Sequence, residues 1–298
     1  MSEPLFQKIA SDYTFKRVFA SQHHKHYLIS ILNHFLESYI GRIEDVEYLP
    51  TEHYGAIAEH KRIFFDIMCR DDRNRNFIIE MQHARQPEYV DRSILYCSRA
   101  ISDSVERGAN SYQIIPTYSF NLLDFELPEY AKSDKCFHAV FLKNQNNELL
   151  TTKVGYFYVF LRNFAAEQKG VTREMKTWME LIFNSDNLRE CDYDRMDSLF
   201  KGLLDECRIS KLDKMEKEKY YKSVLEYEDV QDAIAYAKEY AAKEGFAEGM
   251  EKGLEKGLEK GLELLRNTAM KFLKMGLPIT DVAEATGLGI EELKKLSE

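Results

Sequence analysis

"FFDIMCRDDRNRNFIIEMQ", residues 64–82, sets one acid inside each of two apolar runs, Asp66 in the first and Glu80 in the second, with a polar turn between them. The runs are short and rich in β-branched and aromatic residues, and the connector "RDDRNRN" carries the Asp and Asn that accept turn conformations. The stretch therefore reads as a β-hairpin, Ile63–Cys69 pairing with Phe77–Gln82 about a turn centred near Arg73. Side chains alternate along a strand, so Glu80 and Gln82 share a face while Ile79 and Met81 point the other way. Pairing through that turn sets Asp66 opposite the neighbourhood of Glu80, and two carboxylates and an amide meet at one spot.

Two readings of that spot stay open on spacing alone. Carboxylates a few ångströms apart are costly unless they share a proton or bind a cation, and oxygen-only ligands suit Mg²⁺ or Mn²⁺. Such an ion polarises a phosphoryl oxygen and acidifies water, which is the chemistry of phosphodiester hydrolysis. In the other reading, both acids lie on the solvent side of an ordinary antiparallel hairpin.

Outward from the hairpin, residues 11–40 carry apolar residues at helical spacing, with Leu28, Ile31, Leu32, Phe35 and Leu36 in one stripe and Ser11 or Asp12 as the cap. Val46–Leu49 reads as a strand. After Pro87, "EYVDRSILYCSRAISDSVERG" has helical periodicity and stops at Gly108. "YQIIPTYSFNLL", "CFHAVFL" and "KVGYFYVFL" read as further strands, with a turn at "NQNN", residues 144–147. This order predicts an α/β (α+β) core with a mixed central sheet flanked by helices.

The character changes after about residue 165. Residues 166–232 read as a helical region, 233–265 as a helical connector, and 266–298 as a small module resembling a helix-turn-helix. The connector contains "KEGFAEGMEKGLEKGLEKGLE", with glycines at 245, 249, 253, 257 and 261, each followed by an apolar residue. Glycine costs about 1 kcal/mol against alanine in a helix. The repeat reads either as a site of close approach by a partner helix or as a linker helix laced by Glu–Lys pairs. In the last module a helix capped by Thr280 precedes "IEELKKL", which lacks the Arg, Asn and Gln that read base edges, so a helical cap or dimer module is the preferred reading.

The 298 residues, 44% apolar, support a real core. The net charge of −9 argues against simple electrostatic coating of nucleic acid or membrane, although residues 61–99 hold eight Lys or Arg against six Asp or Glu, so an anion site would be local. Five scattered cysteines lack the close pairs of a zinc or redox site and read as reduced core thiols. His23, His24 and His26 read as a solvated turn. No apolar run approaches the roughly 18 residues of a membrane helix, and the first residues hold no signal-peptide segment. The chain reads as cytoplasmic, with no membrane partner.

"FFDIMC … FIIEMQ" resembles the active-site hairpin of the PD-(D/E)XK nucleases. "SDYTFKRVF" (11–19), "IFFDIMCRDDRNRNFIIEMQ" (63–82), "DRSILYCSRAISD" (91–103) and "YQIIPTYSFNLLDF" (112–125) resemble one branch, the Rpn-type recombination-promoting nucleases, or PD-(D/E)XK nuclease family transposases. The resemblance implies a restriction-endonuclease-like core over residues 1–165 and a metal-dependent DNA endonuclease of bacterial recombination or transposition. It implies Asp66 and Glu80 as ligands of Mg²⁺ or Mn²⁺, with Gln82 completing the catalytic set where most of the superfamily has lysine. Phe65 stands where the "P" of the motif name is expected. Arg92 and Tyr96, four apart on one helix face, are expected to approach the phosphate. Asp12 and Lys16 also match a family motif, Asp12 as a further ligand or as the helix cap. DNA is the expected partner, a homodimer the expected assembly, and no nucleotide cofactor is expected. The rival readings are a degenerate nuclease fold that binds DNA or a partner without cutting, and a nuclease restrained by its C-terminal tail in defence against phage.

Overall fold

The computed structural model describes residues 4–53, 63–84, 88–105, 112–163 and 170–297. In chain order the elements are α1 (Asp12–Phe19), α2 (Lys25–Ile40), β1 (Val46–Tyr48), β2 (Glu52–His53), β3 (Ile63–Phe64), β4 (Ile67–Asp71), β5 (Asn76–Gln82) and α3 (Tyr89–Asp103). There follow β6 (Thr117–Leu123), β7 (Phe137–Phe141), β8 (Val154–Phe160), α4 (Arg173–Asn184), α5 (Glu190–Asp194), α6 (Ser198–Glu206), α7 (Lys214–Lys274), α8 (Ile279–Thr286) and α9 (Ile290–Ser297). The chain divides into two compact units, residues 1–232 and 233–298.

The first unit is built on a mixed sheet of six strands in the order β1-β4-β5-β6-β8-β7. β5 runs parallel to β6 and β6 to β8, while β1–β4, β4–β5 and β7–β8 are antiparallel. The β4–β5 register pairs Ile67 with Ile79 and Arg70 with Asn76, which is the hairpin expected from the sequence. Its turn is held by Asp71: Oδ1 accepts the N–H groups of Arg73 and Arg75 at 3.1 and 2.8 Å, and Asn74 takes a left-handed φ of 59°. Asn tolerates that region better than most residues. Arg75 donates from Nε to Asp71 Oδ2 at 2.6 Å and reaches the carbonyl of Ile40, so the turn is tied to the end of α2.

Strand alternation then sorts the side chains. Cys69, Phe77, Ile79, Met81, Phe120 and Phe157 pack with α1, α2 and α4 into the main core, where Trp178 of α4 is fully buried. On the opposite face Met68 and Ile78 pack with Ala100 of α3 and with Phe65. α3 is fastened there by polar contacts in a dry setting: Tyr89 donates to Asn121 Oδ1 at 2.8 Å, Asn121 donates to the Phe157 carbonyl at 3.1 Å, and the Ser93 and Tyr158 hydroxyls lie 2.8 Å apart. Buried polar groups satisfied in this way fix the helix in one position.

Several expectations need correction. Ile63–Cys69 is not one strand; the chain leaves the ladder at Phe65–Asp66, where the Phe65 N–H donates to the Thr51 carbonyl and the Asp66 side chain takes a backbone partner of its own. Residues 11–40 form two helices separated at Ala20–His24, and Ser11 caps the first by accepting from the Thr14 N–H. α3 ends at Asp103; the predicted stop at Gly108 lies outside the described residues. Cys191 is exposed while the other four cysteines are buried. α8 begins after Pro278, so Thr280 lies inside the helix it was expected to cap.

The second unit holds the later part of α7 with α8 and α9, joined by a small core of Ala269, Val282, Leu288 and Leu293. Gly287, at a φ of 69°, ends α8 as a left-handed C-cap. The glycine repeat is helical, and its apolar neighbours Phe246, Met250, Leu254, Leu258 and Leu262 are all exposed.

Candidate active site

The C-terminal half of β5 faces α3 with Glu80, and the break before β4 turns Asp66 toward it. The Met81 N–H donates to Asp66 Oδ2 at 2.8 Å, and the Asp66 N–H reaches Glu80 Oε1 at 3.4 Å. Each acid is thus held by the other's strand. Glu80 is 2% exposed, which removes the reading in which it lies on a solvent face. Burial, and then the nearby Asp66 charge, push the Glu80 carboxyl well above its ordinary pKa; burial likewise raises Asp66, against the Met81 N–H and Lys16, which lower it.

Around this pair stand the other residues singled out by sequence. The Gln82 amide donates to Glu80 Oε2 at 3.0 Å, and Arg92 of α3 reaches the same oxygen at 3.2 Å. Arg92 Cζ also lies over the Tyr96 ring, 4.9 Å from its centroid, a cation–π contact to the same guanidinium. From α1, Lys16 contacts Asp12 at 2.6 Å and lies 3.9 Å from Asp66 Oδ1. Burial alone would lower the Lys16 ammonium, but the Asp12 hydrogen bond and the acids of the cluster raise it overall. Because Ser11 caps α1, the Asp12 carboxylate is left to its ion pair. All seven candidates therefore belong to one connected cluster assembled from α1, the hairpin and α3.

The donor set fits a hard divalent cation. Asp66 and Glu80 offer oxygen only, and among the described residues no group of three or more His, Cys, Asp or Glu is placed to hold a metal ion, so any ion here would rest on these two carboxylates. A cation that keeps much of its water, such as Mg²⁺, suits two carboxylates of this kind.

Sequence reasoning missed the surroundings that hold this cluster. The Met81 N–H is backbone and has no residue signature. Just past β5, half-buried His83 packs against Tyr227, ring centroids 4.7 Å apart, and its Nδ1 finds no hydrogen-bond partner among the described residues. Tyr227 donates to Asp124 Oδ2 at 2.7 Å, Arg162 to Asp124 Oδ1 at 2.6 Å, and Gln231 to the His83 carbonyl at 3.0 Å. These contacts pin the start of α7 beside the strand ends that carry Glu80 and Gln82. Asp124 and Tyr227 are 103 residues apart; Asp124 lies in one of the quoted stretches, but Tyr227 lies outside all of them, so nothing in the sequence pairs the two.

A six-stranded mixed sheet flanked by helices, entered by an antiparallel hairpin and crossing through α3 into a parallel strand, is the architecture of the PD-(D/E)XK nucleases. A model of the PD-(D/E)XK nuclease family transposases matches residues 9–237, and the chain belongs to that family. It is thus a member of a nuclease family related to transposition. Comparisons with curated proteins and with solved structures found no match.

Proposed function

We propose that the protein is a cytoplasmic, metal-dependent DNA endonuclease of recombination or transposition that hydrolyses phosphodiester bonds at the Asp66–Glu80 cluster. The observation that carries this reading is the meeting of two carboxylates, one of them buried, across the β4–β5 hairpin with a glutamine and an arginine on the same oxygen. Asp66 and Glu80 would hold Mg²⁺ or Mn²⁺. Such an ion supplies Lewis acidity toward the scissile phosphate and the attacking water.

The remaining roles belong to the chain. Gln82 spends its amide nitrogen on Glu80, which leaves its carbonyl oxygen to accept from a water and so orient it for in-line attack. A glutamine brings no charge, and Lys16 and Arg92 flank the two acids in its place. As the water oxygen bonds to phosphorus and the bond to the leaving oxygen breaks, Arg92 would donate to the equatorial phosphate oxygens, where charge accumulates. Tyr96 holds the guanidinium in that position. A homodimer would bring two such sites to the two strands of a duplex. Among the described residues, no helix is long and apolar enough to cross a membrane.

The test is nicking of supercoiled plasmid by the purified chain with Mg²⁺, Mn²⁺, Ca²⁺ or chelator, beside Asp66→Asn and Glu80→Gln variants shown by thermal unfolding to be folded. Metal-dependent nicking that falls by at least ~100-fold in both folded variants is expected. Nicking that survives both substitutions would sink the assignment. A second reading, a fold that binds DNA without cutting, draws on the donation of Gln82 and Arg92 to Glu80 Oε2, which competes with a cation. Retained binding with no nicking under any metal would favour it.

A further inference from the structure

α7 enters the first unit with one edge buried. The Lys8 N–H donates to the Tyr220 hydroxyl at 3.0 Å, the Tyr13 N–H donates to Ser223 Oγ at 3.0 Å, and Tyr227 is tied to Asp124. Positions 220, 223 and 227 follow helical spacing, so the residues one step round the helix, Lys219, Lys222 and Glu226, form a neighbouring face. Ser223 sets this face alongside the first turn of α1. Between the two helices lies an open groove of about 410 Å³, and Lys16 and Arg17 line its other wall.

The groove is cationic in a chain of net charge −9. Four cations, Lys16, Arg17, Lys219 and Lys222, line it against two acids, Asp12 and Glu226. Both acids already have lysine partners, Asp12 with Lys16 at 2.6 Å and Glu226 with Lys222 at 3.9 Å. Arg17 donates to the Glu206 carbonyl at 2.8 Å and lies 3.9 Å from Glu216. Lys219 is exposed, and no ion pair holds it among the described residues. The groove is also continuous with the candidate active site, because Lys16, which lines it, lies 3.9 Å from Asp66. Four cations lining a groove that begins beside two carboxylates match a polyanion whose one reacting phosphate sits at the acids while its neighbours lie along the groove.

We infer that the groove between α1 and the start of α7 is the track of one nucleic-acid strand, with Lys219 and Lys222 contacting sugar-phosphate backbone beside the scissile phosphate. This rests on the proposed nuclease reading, and it adds where the strand lies and which residues bind it. Contacts of this kind are blind to sequence, so the track predicts affinity and salt dependence without base preference.

The test is binding of a fluorescently labelled single strand and a labelled duplex to the full-length protein in chelator, titrated over salt. The Lys219→Gln/Lys222→Gln double variant is compared with a charge-matched control, Lys132→Gln/Lys135→Gln, on the connection before β7. Removing two phosphate contacts is expected to lower the log–log salt slope by about two and weaken binding on the order of 30-fold at ~0.1 M salt, equally for different sequences. The control pair is expected to bind as the parent does, and all proteins to melt together. Unchanged affinity and slope in the groove variant, an equal loss in the control pair, or no binding by the parent would each overturn the inference. Plasmid nicking is scored separately: a parent that nicks while the groove variant binds normally keeps the nuclease reading and loses the track, and groove-dependent binding without nicking does the reverse.

Discussion

At Glu80 a buried carboxylate sits beside the partly exposed Asp66, and folding the metal-free chain has to remove Glu80 from water next to that second acid. Glu80→Gln keeps an oxygen that accepts from the Asp66 N–H while removing the charge, so this variant is expected to lose nicking yet unfold at a higher temperature than the metal-free parent, by about 1 kcal/mol or more. A lower melting temperature would mean that Arg92 and Gln82 more than offset the repulsion. His83 gives a pH test. Burial depresses its pKa from 6.5 to about 4, so the unfolded chain takes up the proton near 6.5 and the fold resists it until about 4. Stability is therefore full above 6.5 and drains away as pH falls through that window, by roughly 3 kcal/mol in all. His83→Phe, which keeps the ring edge against Tyr227, is expected to flatten the acid limb of thermal unfolding between about pH 7 and pH 4; equal acid losses in both proteins would show that the ring titrates freely. Period-two alternation brought Glu80 and Gln82 into view from sequence, whereas Arg92, Tyr96, Asp12 and Lys16 came into view through the family resemblance, with helical spacing only setting each pair on one face. His83 stayed hidden because its partner Tyr227 lies far along the chain and no periodicity links them.

Elements read from sequence hold where periodicity governs them and fail where one side chain overrides it. The hairpin register, the helix after Pro87 and the later strands follow the apolar pattern. β-propensity alone carries "IFFDIMC" through as one strand, but the Asp66 carboxylate draws the Met81 N–H and bends the chain at the point where the site forms. The glycine repeat shows the opposite: glycine argues against helix, yet the segment is helical, with Lys243–Glu239 and Lys252–Glu248 paired one turn apart. Among the described residues, a methyl group added at Gly245, Gly249, Gly253, Gly257 or Gly261 would meet nothing within 4 Å. Each Gly→Ala change in such open space is expected to favour the helix by about 1 kcal/mol. A variant carrying all five should gain helical circular dichroism and melt higher in its C-terminal unit. If the glycines instead admit a partner helix, the same variant would lose self-association in sedimentation, so one protein separates the two readings of the repeat.

Across the whole molecule, every residue assigned a part in cutting or strand binding lies in the unit ending at Asp232. That unit closes its own core, and the first turns of α7 are fastened to it through Tyr220, Ser223, Tyr227 and Gln231. The tail makes its own small core around Ala269, Val282, Leu288 and Leu293. A truncation after Asp232 removes no buried residue from the main core. A chain of residues 1–232 is therefore expected to melt within a few degrees of the first transition of the full protein and to nick plasmid at a comparable rate. Truncation further back, before Tyr227, would strip the partner from Asp124 and His83 and is expected to cost several kcal/mol through the buried carboxylate left with one contact fewer. Nicking that rises sharply on removal of residues 233–298 would instead mean that the tail restrains the site, and a fall in melting temperature would mean that it braces the core. The same fragment, weighed in solution beside the full chain, shows whether self-association belongs to the tail, since loss of a dimer with retained cutting would place the partner surface in residues 233–298 and leave each site complete within one chain.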